Sequence, residues 1–133
     1  MKLTDVDEGA VTRFLPGDVL ALLALVLVGT IEHGSLSPQR YAGVLLPFLV
    51  GWLAAAPFVG AYSSRAAESS RAAFLLAAGT WLVADLVGQL LRNTSLFPGN
   101  ADPTFFLVMF VVGTVFLSVA RFASLVVADL IGN

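Results

Sequence analysis

The sequence predicts an all-α fold, an integral membrane bundle of four transmembrane helices. Of 133 residues, 58% are hydrophobic and only 12% charged, against about 25% charged in a soluble domain. The apolar residues gather into four runs, each close to the roughly 20 residues that a helix needs to cross a bilayer. Short polar segments separate the runs, which makes successive helices antiparallel neighbours. The apolar runs lack the every-second-residue polarity of a membrane β-barrel. Backbone in lipid must bond to itself, so helices fit.

The first helix is expected at about 14–33, with Asp18 one turn inside its start. Asp5, Asp7 and Glu8 precede it and are wrong for a signal-peptide n-region, so this helix should stay in the mature protein. The second is expected at 41–62, without a charge inside it, and the third at 72–92, interrupted only by Asp85. The fourth, at 103–130, is free of charge to Ala120, passes Arg121 and continues apolar. Gly34, Pro38, Pro98, Gly99 and Pro103 break the chain between helices. One membrane domain over 1–133 is the expected organisation.

Composition excludes several chemistries. The chain has no cysteine and a single histidine, His33. Thiolate sites, disulfides and multi-histidine metal sites within one chain are therefore not expected. The net charge is −2, and nothing is basic enough to bind nucleic acid. Phosphate loops, nucleophile elbows and metalloprotease helices are absent from the sequence. No cofactor or metal is expected. The expected partners are the lipid bilayer, and a second copy of the chain or a membrane complex.

Charges inside a membrane span are costly and point to function by default. Asp85, Gly88, Gln89 and Arg92 share one helical face through i, i+3, i+4, i+7 spacing. This face suits a proton- or ion-responsive site, or a structural hydrogen bond that fixes packing. Glu32 and His33 end the first helix on the side of Arg92. The three could converge at the outer mouth, with histidine as the group that titrates near neutral pH, or simply meet interfacial water. Asp18 and Arg121 mark the other side. Asp18 either complements the helix dipole in a first turn or pairs with Arg121. In the second helix Pro47 and Pro57 flank Gly51 and Ala55, small residues one turn apart. That pattern suits a kinked, cavity-lining helix or close helix packing. Trp52 and Trp81 are expected deep in the bundle.

An internal duplication is also readable. Val28-Gly29, Ser35-Leu36 and Pro38 read against Val87-Gly88, Ser95-Leu96 and Pro98, and Gly51 reads against Gly113. Duplicated hairpins would be related by a twofold axis along the membrane normal.

With these residues placed, the chain resembles the family catalogued as domain of unknown function 3054, small membrane proteins of haloarchaea and actinobacteria. The likeness rests on Asp18, on Gly29 with Glu32-His33-Gly34, and on Pro47-Phe48 with Gly51-Trp52. It continues through Trp81, Gly88, Leu91-Arg92, Phe105-Phe106 and Arg121. It departs at Ala120, where a tryptophan often precedes the arginine. The resemblance implies a four-helix membrane protein and no particular activity. Three function classes follow: a non-catalytic subunit or binding partner in a membrane complex, a small homo-oligomeric transporter or channel, and a membrane-embedded enzyme. The first is favoured: a transporter of this size would have to dimerise to enclose a path, and an enzyme would need catalytic motifs that are missing.

Lys2, Arg13, Arg65, Arg71 and Arg121 fall on one side of the bundle, and Arg40 and Arg92 on the other. Positive residues concentrate in the cytoplasm, so both termini and the 63–71 loop are expected there. Single cysteines in that loop should resist an impermeant thiol reagent in intact cells, while cysteines in the 93–102 loop react. Labelling of the first with protection of the second would reverse the orientation.

Overall fold

Each helix begins on a side chain that accepts a hydrogen bond from the first-turn backbone, satisfying one of the amides that a helix start leaves open. In the computed structural model, which describes residues 4–34, 37–97 and 102–132, Asp7 accepts from Ala10 N at 3.0 Å and Ser37 from Arg40 N at 3.1 Å. Ser69 accepts from Ala72 N at 3.0 Å and Asp102 from Thr104 N at 3.0 Å. The resulting helices are α1 (Glu8–Glu32), α2 (Pro38–Val59), α3 (Ser70–Arg92) and α4 (Pro103–Leu130), with a short 3-10 helix at Ser64–Ala67. All four long helices have the length and apolar content to cross a membrane. No strand occurs among the described residues. Lys2, Ser35, Leu36, Pro98 and Gly99 lie outside them.

The caps move two helix starts from where hydropathy put them. α1 begins at Glu8 rather than at 14, because Asp7 caps it and Pro16 is carried inside the helix. Asp18 thus lies almost three turns in, beyond the reach of the dipole effect, which fades after the first turn. α2 runs 38–59 rather than 41–62, since Ser37 and Pro38 start it and Gly60, at φ 107°, ends it. Tyr62 therefore belongs to the connection between α2 and α3.

The helices form a ring in which α1 packs on α2 and α4, and α3 packs on α2 and α4; the diagonal pairs make no backbone approach. The ring is polar at points inside and apolar outside. Leu20, Leu53, Leu75, Leu90 and Val119 are exposed on its outer surface, while Asp18, Asp85 and Arg121 are fully buried. Phe14, Phe48, Trp52 and Trp81 fill the interior.

α2 and α3 make the most extensive backbone contact, and glycine permits it. A Cβ at Gly51 would stand 2.5 Å from the carbonyl oxygen of Ala84. On α3, Gly88 lies under the Phe48 ring, and on α4, Gly113 lies under the Trp81 indole. That indole donates to the Met109 carbonyl at 2.8 Å, joining α3 to α4. These environments do not follow the duplication read from the sequence. Gly88 meets Phe48, whereas nothing lies within 4 Å of a Cβ at Gly29. Gly51 meets α3, and so does Gly113, where a twofold would set Gly113 against α1. The glycine correspondence is therefore not a packing correspondence, and it lends no support to an interface between repeats.

Gly51→Ala should cost about 1–3 kcal/mol, the usual penalty for forcing a group into a filled contact. Gly29→Ala should be neutral or stabilising by up to about 1 kcal/mol, because alanine orders a helix at lower entropic cost. Unfolding of the purified variants in mild detergent would measure both. Equal losses at the two positions would contradict this packing.

Candidate functional site

Two polar centres lie at membrane depth, and they differ in how fully their groups are satisfied. The first joins the two helices whose ends carry the chain termini. On α1, Asp18 shares a buried face with Phe14, Leu22 and Leu25, spaced at i−4, i+4 and i+7. On α4, Arg121 follows Gly113 and Leu117 along the face turned inward. The two charges meet as a fork: Arg121 Nε donates to Asp18 Oδ1 at 3.0 Å, and Nη2 to Oδ2 at 2.8 Å. Both residues are 0% exposed.

Neighbouring groups satisfy much of what remains. Arg121 Nη1 donates to the Ala73 carbonyl of α3 at 3.3 Å. The Tyr62 hydroxyl donates to Asp18 Oδ2 at 2.7 Å, and Trp52 Nε1 donates to that hydroxyl at 2.9 Å. The guanidinium also lies over Phe14, 4.3 Å from its centroid, and 5.5 Å from that of Tyr62. Burial, followed by the Asp18 charge, pushes the Tyr62 phenol up from its ordinary value, so it remains a donor. One centre thus ties together α1, α2, α3, α4 and the α2–α3 connection. Bidentate, charge-assisted bonds of this kind are short and directional. With both carboxylate oxygens and all three guanidinium nitrogens bonded, the centre suits fastening better than turnover.

The second centre lies on α3 toward the opposite membrane face. Asp85 is fully buried, and its Oδ1 accepts from Gln89 Nε2 at a long 3.4 Å. Asp85 Oδ2, Gln89 Oε1, Thr80 Oγ1 and Arg92 Nε are buried without a partner among the described residues. Arg92 does not turn back to Asp85; its guanidinium lies over Phe105 of α4, 4.6 Å from the centroid. Among the described residues, the Asp18–Arg121 contact is the one ion pair.

Glu32 and His33 are exposed at the end of α1. The structure does not gather them with Arg92, because α1 and α3 are diagonal in the ring. Among the described residues no ion pair joins them to Arg92, and their exposure fits the alternative reading, that they meet interfacial water. Nor does α2 line the large groove of the molecule, despite its prolines. That groove has a volume of about 1100 Å³ and lies between α1 and α4.

Sequence reasoning missed Tyr62, Trp52 and Phe14 as partners of the ion pair. Phe14 could have been found from its i−4 spacing to Asp18. Tyr62 was hidden by its placement inside an apolar run, and the Ala73 carbonyl carries no side-chain signal at all. No group of three or more potential metal ligands is present among the described residues.

The model of a family described as "Protein of unknown function (DUF3054)" matches residues 15–124. The matched stretch contains both polar centres, including Asp18 and Arg121. No curated protein and no solved structure matches the chain.

Removing one partner from a buried ion pair typically costs about 3–5 kcal/mol, while replacing both by apolar groups is often near neutral. Asp18→Leu and Arg121→Met should each destabilise on that scale, and the double variant should regain much of the loss. Tyr62→Phe should cost about 1.5–3 kcal/mol, as for a bond to a charged group. Unfolding in detergent tests the set; strictly additive losses would show that the two charges do not act as a unit.

Proposed function

On the premise that the chain belongs to the DUF3054 family, we propose that it is a non-catalytic binding subunit of a membrane complex. The observation that carries this reading is the groove between α1 and α4. One wall runs from Glu8 to Ala21 and the other from Val115 to Ile131. The walls are mainly apolar or small, with Leu20, Val119 and Val127 exposed along them. A recess of this volume between two helices is a concave site for a further apolar body. The polar residues of the interior support the same reading, because Asp18 and Arg121 are engaged with each other.

A second reading, a homo-oligomeric transporter, draws support from the unpartnered oxygen of Asp85. Intramembrane carboxyls often mark ion or proton routes. It is the weaker reading, because Glu32 and His33 stand apart from Asp85 and Arg92.

Photocrosslinking separates the two. A photoreactive residue at Ala123, in the groove, should yield a defined adduct with another membrane component in native membranes. The same residue at exposed Leu86 on α3 should not. Purification in mild detergent should return the same component in fixed stoichiometry. Solute or ion flux in proteoliposomes, abolished by Asp85→Asn, would instead establish transport.

A further inference from the structure

We propose that the α1–α4 groove holds a phospholipid of the leaflet on the side of the termini, with its phosphate on Arg13 and its ammonium on Glu8. This rests on the reading of the groove as a binding surface and specifies its occupant. Three observations carry it.

The first is length. From Glu8 to Ala21 the α1 wall extends about 20 Å at 1.5 Å per residue. Half of a bilayer's hydrocarbon core is about 15 Å, and a spanning helix needs the whole, about 30 Å. The groove therefore matches one leaflet's acyl chains and their headgroup more closely than the full thickness of a bilayer. Its volume of about 1100 Å³ also exceeds the roughly 300–1000 Å³ of common small-ligand pockets.

The second is the state of Arg13. It lines the groove, is half-buried, and has no hydrogen bond or ion pair among the described residues. Arg121, by contrast, is paired with Asp18, and the Arg92 guanidinium lies over the Phe105 ring. A cation at the edge of hydrocarbon needs an anion, and a planar guanidinium suits a phosphate.

The third is the order of charge along the membrane normal. Glu8 also lines the groove, five residues nearer the helix start, so it stands about 7 Å farther out than Arg13. A zwitterionic phospholipid with its phosphate on Arg13 carries its ammonium on a short flexible link, which can turn toward Glu8. An anionic phospholipid without an ammonium would set bare negative charge toward Glu8. At the floor, Gly17 lets α1 and α4 approach each other: a Cβ there would come 2.9 Å from Ser124 Oγ.

The test is native mass spectrometry of the full chain from nanodiscs holding equal amounts of phosphatidylethanolamine and phosphatidylglycerol. The wild-type chain should retain one phosphatidylethanolamine in preference. Arg13→Gln should reduce retention of that lipid about tenfold or more, with thermal unfolding unchanged. Glu8→Gln should keep a bound lipid but erase the preference between headgroups. Ala123→Trp, on an exposed wall position, should exclude lipid altogether. Equal retention of both lipids by the wild-type chain, or unchanged retention by Arg13→Gln, would overturn the assignment. A protein crosslinked from Ala123 with no lipid retained would also overturn it, while leaving the subunit reading intact. Failure of crosslinking together with failure of lipid retention would remove both.

Discussion

The fold depends on a pair of opposite charges buried inside the helix bundle. Asp18 and Arg121 sit on the first and last helices, and each is engaged by groups from elsewhere in the bundle. An isolated charge in an apolar medium is so unfavourable that it must be paired or neutralised. The two residues meet this demand by facing each other through a planar fork and by drawing in Tyr62, Trp52 and the Ala73 carbonyl. In water such a pair would add little to stability. In lipid, the alternative to pairing is an unsatisfied charge, so the pair fixes how α1 and α4 rotate about their own axes. Once those rotations are set, the faces left over for lipid follow.

The rest of the interior is shaped by small residues rather than by apolar attraction. Lipid tails are as apolar as leucine, so helices in a membrane gain little by hiding leucines from them. Close contact and hydrogen bonds are what remain. Gly51 against Ala84, Gly88 under Phe48 and Gly113 under Trp81 supply the contact. Trp81 bonding to the Met109 carbonyl supplies the bond. The exposed leucines and valines are the complement of this economy of space, since they face the solvent that suits them.

The number and type of helices were legible because a bilayer imposes a length on any apolar run, and four runs met it. Helix ends were less legible where hydropathy and capping disagree. Asp7 starts α1 well before the apolar run begins, so Asp18 looked like a dipole partner when it is an interior residue. The pairing of Asp18 with Arg121 was available as an alternative, because each is a lone charge near the same membrane face. Its supporting shell was not available, since Tyr62 reaches Asp18 only after Gly60 turns the chain back. The apparent kinship of Gly29 with Gly88 misled for a related reason. Helices built from few residue types repeat letters without repeating contacts. Glu32, His33 and Arg92 share a membrane face, but only the ring order says that their helices are diagonal.

The ion pair also has a consequence for how the chain is made. Asp18 is separated from its arginine by 103 residues, so it leaves the ribosome long before that partner exists. Membrane insertion proceeds from the first helix onward, and α1 must enter lipid, or wait beside the insertion machinery, with its carboxyl uncompensated. Tyr62 arrives first, offering one hydrogen bond but no positive charge. Arg121 comes only with α4. Closure of the bundle is thereby tied to synthesis of its last helix, and a chain that stops short keeps a buried acid with no cation to meet it. The same contact that fastens the finished protein thus distinguishes it, inside the membrane, from every unfinished one.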